Sequence, residues 1–528
     1  MNAKLKPILL MKTTMKFKAA IGLAGMAWGG MTQAEVGPDY QRPVTEAPAG
    51  YKGPVVMREA RPLENAPKGA WWELFKDRRL SALIVDATQH NQELKAAIAR
   101  FDQSRASARL ARANFFPSIG TGFTAEHQRT SENMPSPFPL DGLRYDGPGY
   151  NVPLEFSWEI DLWGKLRRQS EAAGAQLVGV AAAMQNVLLT VQADVALNYI
   201  RVRTLDAEME VVKKAVELRK ESLGITDARV KAGAGSDLEL AQAETELAMA
   251  QAEISSLQTQ RDQLENAIAV LAGLNPAVFR LPAIPRGSAT PPAIPAGVPS
   301  DLLERRPDIA QAERALAAAS AQIGVAKSAA FPSVRLLANG GLLSGELDLL
   351  TDPASLMWNA GPRVTIPVFS GGKNLANFER AQAAHDEALA GYRQAILTAF
   401  GEVENSLSAI ANLKQQAAAQ QRAVESSAKA LSLARTRYEA GTSPYLDVIE
   451  ADRTALAVHR GAVQISGQQW LASVGLVKAL GGGWDMATPL EVPTVAADPE
   501  AKLSNDSGLA KKGFLGRVKS MFKREEKH

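Results

Sequence analysis

One long segment of this chain occurs twice. Lys165 to Leu271 runs in register with Lys373 to Ala479, at a constant offset of 208 residues and without a gap. Leu189-Thr190 matches Leu397-Thr398, and Val195 matches Val403. Arg229, Ala232-Gly233 and Leu238 match Arg437, Ala440-Gly441 and Leu446. Upstream of each copy lies the same tripeptide, Phe116-Pro117-Ser118 and Phe331-Pro332-Ser333. Solenoid repeats have periods of roughly 20–50 residues, so a unit of this length is a duplicated domain half.

The repeated unit is helical by composition. No proline interrupts Leu154 to Asn275, and the stretch is rich in alanine, leucine and glutamate. A helix from Lys165 to Lys231 would extend roughly 100 Å at about 1.5 Å per residue. It breaks at Ala232-Gly233-Ala234-Gly235 and returns with Leu240, Ala243, Leu247, Ala250, Ile254, Leu257, Arg261, Leu264, Ile268 and Leu271 on one seam. The second copy keeps the seam from Val448 through Ala455 and Ile465 to Ala479. Alternating spacings of three and four are those of coiled-coil packing.

Ahead of the first copy the period changes to two. Leu154, Phe156, Trp158, Ile160 and Leu162 alternate with Glu155, Ser157, Glu159 and Asp161. Ile119, Thr121, Phe123 and Ala125 form a weaker version, as do Val364, Ile366 and Val368. Pro153 to Trp163 has the length of a tilted membrane-crossing strand, although a soluble sheet with one wet face would read the same way.

The N-terminus tips the balance between them. Lys12, Lys16 and Lys18 precede an apolar run from Ala19 to Met31, and Thr32-Gln33-Ala34 offers small residues for cleavage after Ala34. That is a secretory signal; the run is too short and Gly-rich to span about 30 Å of hydrocarbon. An exported chain with amphipathic strands points to a barrel wall, lipid outside and water inside. On this reading Glu155, Glu159 and Asp161 face the lumen.

The segments follow in order: a signal peptide over 1–34, an extended stretch over 35–70, and a helical segment over 71–113. Barrel strands over 114–163 and a long helical hairpin over 164–275 complete the first half. A Pro-rich linker over 276–299 leads to the second half, with a helical segment over 300–330, strands over 331–370 and a hairpin over 371–482. A polar then basic tail occupies 483–528 and could form an amphipathic helix.

Two strands per half give four per chain, short of the roughly eight needed to close a barrel. An open edge in lipid leaves backbone groups unpaired at several kcal/mol each. Chains must therefore pool strands, and three of them would supply about twelve. The expected fold is mainly α with a membrane β part, assembling as a trimeric α-barrel/β-barrel tunnel.

Several motifs then carry a resemblance. Gly37-Pro38-Asp39-Tyr40-Gln41-Arg42-Pro43, Trp71-Trp72-Glu73-Leu74-Phe75 and Leu303-Glu304-Arg305-Arg306-Pro307-Asp308-Ile309 are three of them. Ala329-Ala330-Phe331-Pro332-Ser333 and Arg437-Tyr438-Glu439-Ala440-Gly441 with Tyr445-Leu446-Asp447-Val448 complete the set. The chain resembles the TolC-like outer-membrane factors, specifically their NodT-type efflux branch. The resemblance implies a homotrimeric outer-membrane channel in outer-membrane lipid. It would work with a periplasmic adaptor protein and an inner-membrane pump of the RND type to export small molecules. Secretion of a protein or an oligosaccharide is the alternative within the family. Many relatives carry a lipidated cysteine near the mature start. This chain has no cysteine, so no lipid anchor is expected there and the barrel alone must hold it.

Carried over by motif, Tyr438, Asp447, Glu450 and Glu239 would be gate residues. The turns at Gly233, Gly235, Gly441 and Ser443 would dock the adaptor. Serine 443 stands where some relatives have arginine, so a gate ion pair at that site is not expected. Local structure offers simpler accounts. Ser236-Asp237-Leu238-Glu239 is a capping box, and Asp447 sits in a first helical turn, where acids suit the helix dipole.

Enzyme classes find little support. Ser370-Gly371-Gly372-Lys373 lacks the spacing of a phosphate loop. The histidines at 90, 127, 385, 459 and 528 are scattered, and no Gly-x-Ser-x-Gly elbow occurs. Without cysteines, disulfides and thiolate metal sites are excluded. No metal or other cofactor is expected, and the unclustered methionines do not suggest copper export. The net charge of +3 gives no reason to invoke nucleic acid. A soluble periplasmic coiled-coil adaptor would present one hairpin rather than two with strands at their base, and a filamentous scaffold would lack the strands.

Overall fold

The computed structural model describes residues 35–44, 48, 50–51, 70–131, 146–284, 290–292, 294 and 305–482. The expected signal segment with its cleavage after Ala34, and the basic tail, lie outside the described residues. The duplication is visible element by element. Helix α1 (Arg78–His90) and helix α2 (Gln92–Ala113) lead into β1 (Ser118–Thr121), β2 (Thr124–Arg129) and β3 (Asp146–Ile160), then α3 (Lys165–Lys231) and α4 (Asp237–Leu271). The second half follows with α5 (Pro307–Ser328), β4 (Ser333–Ser344), β5 (Leu356–Thr365), α6 (Lys373–Glu439) and α7 (Tyr445–Ala479). Helices α3 and α6 have 67 residues each, and α4 and α7 have 35 each.

Two expectations need correction. The helical stretch over 71–113 is three elements: a 3-10 turn at Trp71–Phe75, then α1 and α2. Asn91 turns extended, with ψ of 130°, and its side-chain oxygen accepts from the Leu94 amide at 2.9 Å, starting the new helix. The second correction concerns strand ends. β3 stops at Ile160, because Asp161 accepts from the amides of Leu166 and Arg167 at 3.1 and 3.0 Å and so opens α3. Likewise β5 ends at Thr365, leaving Ile366 and Val368 outside the sheet and exposed. The outgoing strand expected through Ile119 to Ala125 is likewise two segments, β1 and β2, separated at Gly122-Phe123.

Contacts divide the chain into two units. The first comprises residues 1–46, 100–183 and 308–397 and contains the antiparallel sheet, in the order β1-β3-β4-β5 with β2 also on β3. Both β1 and β2 use the edge of β3 opposite β4, so they act as one interrupted strand. Directly opposed residues share a face, and from Glu155 to Ile160 the register sorts the faces largely by polarity, with Leu337 an apolar residue on the polar face. Phe156 opposes Ile119 and Ala338, Trp158 opposes Leu336, and Ile160 opposes Val334. On the other face Glu155 opposes Asn339, which opposes Asn359, and Glu159 opposes Arg335, which opposes Arg363.

The Gly37-to-Pro43 motif is explained in the same unit. Gly37 lies so close to Gly324 of α5 that a Cβ on it would fall 2.5 Å from the Gly324 Cα. Asp39 then accepts from the buried Arg168 at 2.6 Å, and the Tyr40 hydroxyl donates to Glu313 at 2.5 Å. Residues 37–40 are thereby laid along α5 and onto the start of α3.

The second unit comprises 47–99, 184–307 and 398–528. Its core gathers Trp71, Phe75, Leu80 and Ile84 with Val195, Tyr199, Ile200, Ile268, Trp470 and Val474. One window of α3 is apolar enough by composition to cross a membrane. Several residues of that helix, such as Val191, Ala193 and Ala196, are instead part of this core. A buried charge cluster straps the first part of the linker to α3 and α4. Asp206 accepts from Arg203 at 2.9 Å and Arg261 at 2.7 Å. Arg203 also donates to the Pro282 carbonyl, and Asp206 accepts the Ile284 amide.

Candidate functional site

The two hairpin tips lie in the second unit, and their turns have the same geometry. After α3 the Ala234 amide donates to Arg229 O and the Gly233 amide to Val230 O, both at 2.9 Å. After α6 the Thr442 amide donates to Arg437 O and the Gly441 amide to Tyr438 O, again at 2.9 Å. Gly233 and Gly441 adopt φ of 74° and 70°. This is the Schellman termination, which satisfies the last carbonyls of a helix and needs a left-handed residue. Gly235 packs on Val230. Ser443 is half-buried, and its hydroxyl finds no partner among the described residues.

Behind the second turn lies an aromatic cluster. Tyr438, at the end of α6, and Tyr445, at the start of α7, are both buried, with ring centroids 5.2 Å apart. Ala243 of α4 and Val448 and Ile449 of α7 pack against them. The Arg229 guanidinium sits 4.7 Å over the Tyr438 ring, an attraction worth about 0.5–2 kcal/mol according to its desolvation. The Tyr438 hydroxyl is buried near Thr226 without a hydrogen bond of ordinary geometry. Burial, then the nearby Glu239 carboxylate, push its pKa up, while Arg229 opposes them. Burial and the neighbouring Tyr438 likewise raise Tyr445.

The acids named from the sequence occupy different surroundings. Asp447 is exposed in the first turn of α7. Glu450 is exposed and lies 3.8 Å from Arg453. Glu239 is half-buried in the first turn of α4. Ser236 caps that helix by accepting from the Leu238 amide at 3.2 Å, one residue earlier than in a capping box.

Beyond the tips lies a network that sequence patterns did not reveal. Arg219 of α3 pairs with Asp452 of α7 at 2.9 Å and with Glu246 of α4 at 3.3 Å. Arg453 of α7 also binds Glu246, and Arg435 of α6 approaches Asp452 at 3.7 Å. Four helices, two from each repeat, are thus joined by alternating charges. Farther along, Arg460 binds Glu208 and Glu253, both at 2.7 Å. The only sequence signal was the presence of charges at buried positions of a helical seam, Glu246 next to Leu247 and Arg261 on it.

The acids expected in the barrel lumen also separate. Glu155 is exposed on the polar face of the sheet. Glu159 shares that face and pairs with Lys165 at 2.9 Å and Arg335 at 3.0 Å. Asp161 lies past the strand and serves the α3 N-terminus and the Arg167 side chain.

The family model described as outer membrane efflux protein matches residues 83–274 and 298–482, one match to each repeat. The chain is 33% identical over 481 residues to the solvent efflux pump outer membrane protein SrpC of Pseudomonas putida, covering 90% of this chain and 100% of that protein. Among solved structures it is similar to the Campylobacter jejuni CmeC outer membrane channel, with TM-score 0.78 and 25% identity over 87% of this chain and 97% of that one. It is also similar to the open state of the Neisseria gonorrhoeae MtrE outer membrane channel, with TM-score 0.73 and 28% identity over 86% and 100%.

Proposed function

This chain belongs to the outer membrane efflux protein family, and from that premise we propose how its two units carry out transport. The protein is an outer-membrane efflux channel, passively conducting small molecules to the exterior as the outer component of a tripartite pump. The sheet is the membrane part and the hairpins form the periplasmic conduit. The observation that carries this reading is a sheet with two open edges and two faces of opposite polarity. Such a sheet is stable in lipid only when its edges are paired, which three copies joined edge to edge would achieve. With no cysteine in the chain, this barrel rather than a lipid anchor would hold the protein in place.

The tips are assigned two roles. The turns at Gly233, Gly235, Gly441 and Ser443 receive a periplasmic adaptor, which links the channel to an inner-membrane pump of the RND type. Tyr438, Asp447, Glu450 and Glu239 line the gate. The charge network of Arg219, Glu246, Asp452 and Arg453 sets the angle of the four helices behind it. In a trimer the exposed acids Asp447 and Glu450 would form rings that favour cations. Small-molecule export rather than secretion is supported by the solvent-efflux relative.

The test is the mass of the detergent-extracted particle from separated membranes. An outer-membrane particle of three chains is expected. A monomeric or soluble protein would remove the barrel.

A further inference from the structure

The polar face of the sheet is not uniform along its strands. Toward its outer part it carries Glu126, opposite Gly149, and Glu155, opposite Asn339. At the end nearest the helices three cations meet one acid. Glu159 opposes Arg335, and Arg335 opposes Arg363. Lys165 reaches the same carboxylate from the first turn of α3. Like charges directly opposed on neighbouring strands repel, and Glu159 answers that repulsion only in part. It binds Lys165 at 2.9 Å and Arg335 at 3.0 Å. Arg363 is exposed and makes no ion pair among the described residues.

A counterion from elsewhere is hard to find. Glu155 is four residues along β3, about 13 Å away. Asp161 is engaged by Arg167 and the α3 amides. The edge strand that a second copy would bring beside β5 is β1, whose residues Ser118-Ile119-Gly120-Thr121 contain no acid. The opposite face cannot supply one either, since Phe156, Trp158, Ile160, Val334 and Leu336 occupy it there.

We propose that Arg335 and Arg363 form an anion-attracting band at the helix-proximal end of the barrel lumen, which favours carboxylate-, sulfonate- or phosphate-bearing solutes at that level. This rests on the channel reading above, which places the polar face in the lumen. Repeated in each copy, the cluster would carry an excess of positive charge, opposite in sign to the acids exposed at the hairpin tips. Cargo passing along the tunnel would then meet two zones of opposite charge. The band would act as a specificity-determining element, independent of whether the tip is open.

The chain has no cysteine, so a single introduced thiol reports its surroundings alone. Gly361 sits between Asn359 and Arg363 on the same face, opposite Leu337, and a Cβ there meets nothing within 4 Å. The full-length G361C protein in outer-membrane fragments is treated with sulfonatoethyl and trimethylammonioethyl methanethiosulfonates. The ratio of the two rates cancels any change in thiol acidity. A unit charge about 7 Å from the sulfur, screened by roughly 0.1 M salt, changes that ratio about threefold. Relative to the same ratio for a small free thiol, the anionic reagent is expected to gain about threefold. Adding R363Q should lower the ratio about threefold, R363E about tenfold, and R363K should leave it unchanged. A ratio that ignores the charge at position 363 overturns the band while leaving the channel intact. If neither reagent reaches position 361 but both reach a cysteine at Phe156, the faces are reversed, and the channel reading fails with the proposal.

Discussion

Arg219 and Asp452 lie 2.9 Å apart, although 233 residues separate them in sequence, and their contact joins the outgoing helix of the first repeat to the return helix of the second. Glu244 stands at the position equivalent to Asp452, but Ser427 occupies the position equivalent to Arg219, so the contact has no twin. The scaffold is therefore duplicated, while the bond between its halves is not. Both side chains are largely buried, at 9% and 14% exposure, so each depends on the other for its solvation.

Breaking that pair from one side should be costly. R219A or D452A leaves a largely buried charge with fewer partners, an effect of about 3–5 kcal/mol in comparable sites. Asp452 keeps Arg435 nearby and Arg219 keeps Glu246, so a value near the lower end is expected. The double variant should be less destabilised than the sum of the two single ones. Chemical unfolding of all three proteins measures this, and additive losses would remove the coupling.

The Tyr438 hydroxyl has no ordinary hydrogen bond, so its contribution is through the ring. Y438F should retain the closed conductance and stability within about 0.5 kcal/mol. Replacing Tyr438 and Asp447 together by alanine should raise single-channel conductance and sensitivity to large antibiotics. Unchanged conductance in the double variant would argue against these residues as part of the gate.

Alkaline pH should find the two tip tyrosines late. Burial raises the pKa of Tyr438 and Tyr445 above the ordinary 10.0. A raised folded-state pKa means that the folded form holds its proton more tightly than the unfolded form. The associated stability is therefore complete below the unfolded value and is lost as pH rises through the folded values. Phenolate absorbance should keep rising above pH 10.0, with a late component that shrinks in Y438F and Y445F, together with loss of the closed tip. Ionisation of every tyrosine in one step near 10 contradicts this.

The apolar face of the sheet should not accept charge. Arginine at both Phe156 and Trp158 would cost roughly 2–4 kcal/mol each near the membrane midplane. Trp158 also donates to the Phe115 carbonyl at 2.9 Å. The variant should fail to reach the outer membrane as an SDS-resistant oligomer. Normal oligomers would mean that this face is not the lipid face.

Substituting Gly441 tests the twin turns. Its left-handed φ of 70° costs a non-glycine residue about 1–2 kcal/mol. G441V should loosen the end of α6 without affecting the sheet. Limited proteolysis should then cut near residue 441, and unchanged cleavage would show that the turn tolerates a side chain.

Much of the architecture was legible because it depends on local chemistry. The 208-residue offset places every hairpin helix of one repeat on its counterpart, and the same backbone preferences act on both. Glycines at 233 and 441 end the long helices wherever they occur, and a period of two marked the core of β3. The breaks were less legible. Asn91 ends one helix and begins the next because its side chain also reaches the Leu271 carbonyl at 2.8 Å, and Arg306 does the same for the Ala479 carbonyl at 2.8 Å in the second half. No local pattern distinguishes such residues from ordinary helix members.

The duplicated plan, the long helices, their turns and the alternation of the strands can all be read from the order of the residues. These follow from propensity and periodicity, which act over a few residues. Which charges meet depends on how distant segments pack in the folded chain. Glu246 became a junction for two arginines, Asp161 a helix cap rather than a strand residue, and Arg363 a cation opposite another cation. Each outcome depends on register and helix packing between segments far apart in the chain. Coulomb interactions depend on distance in space, and sequence separation does not encode it.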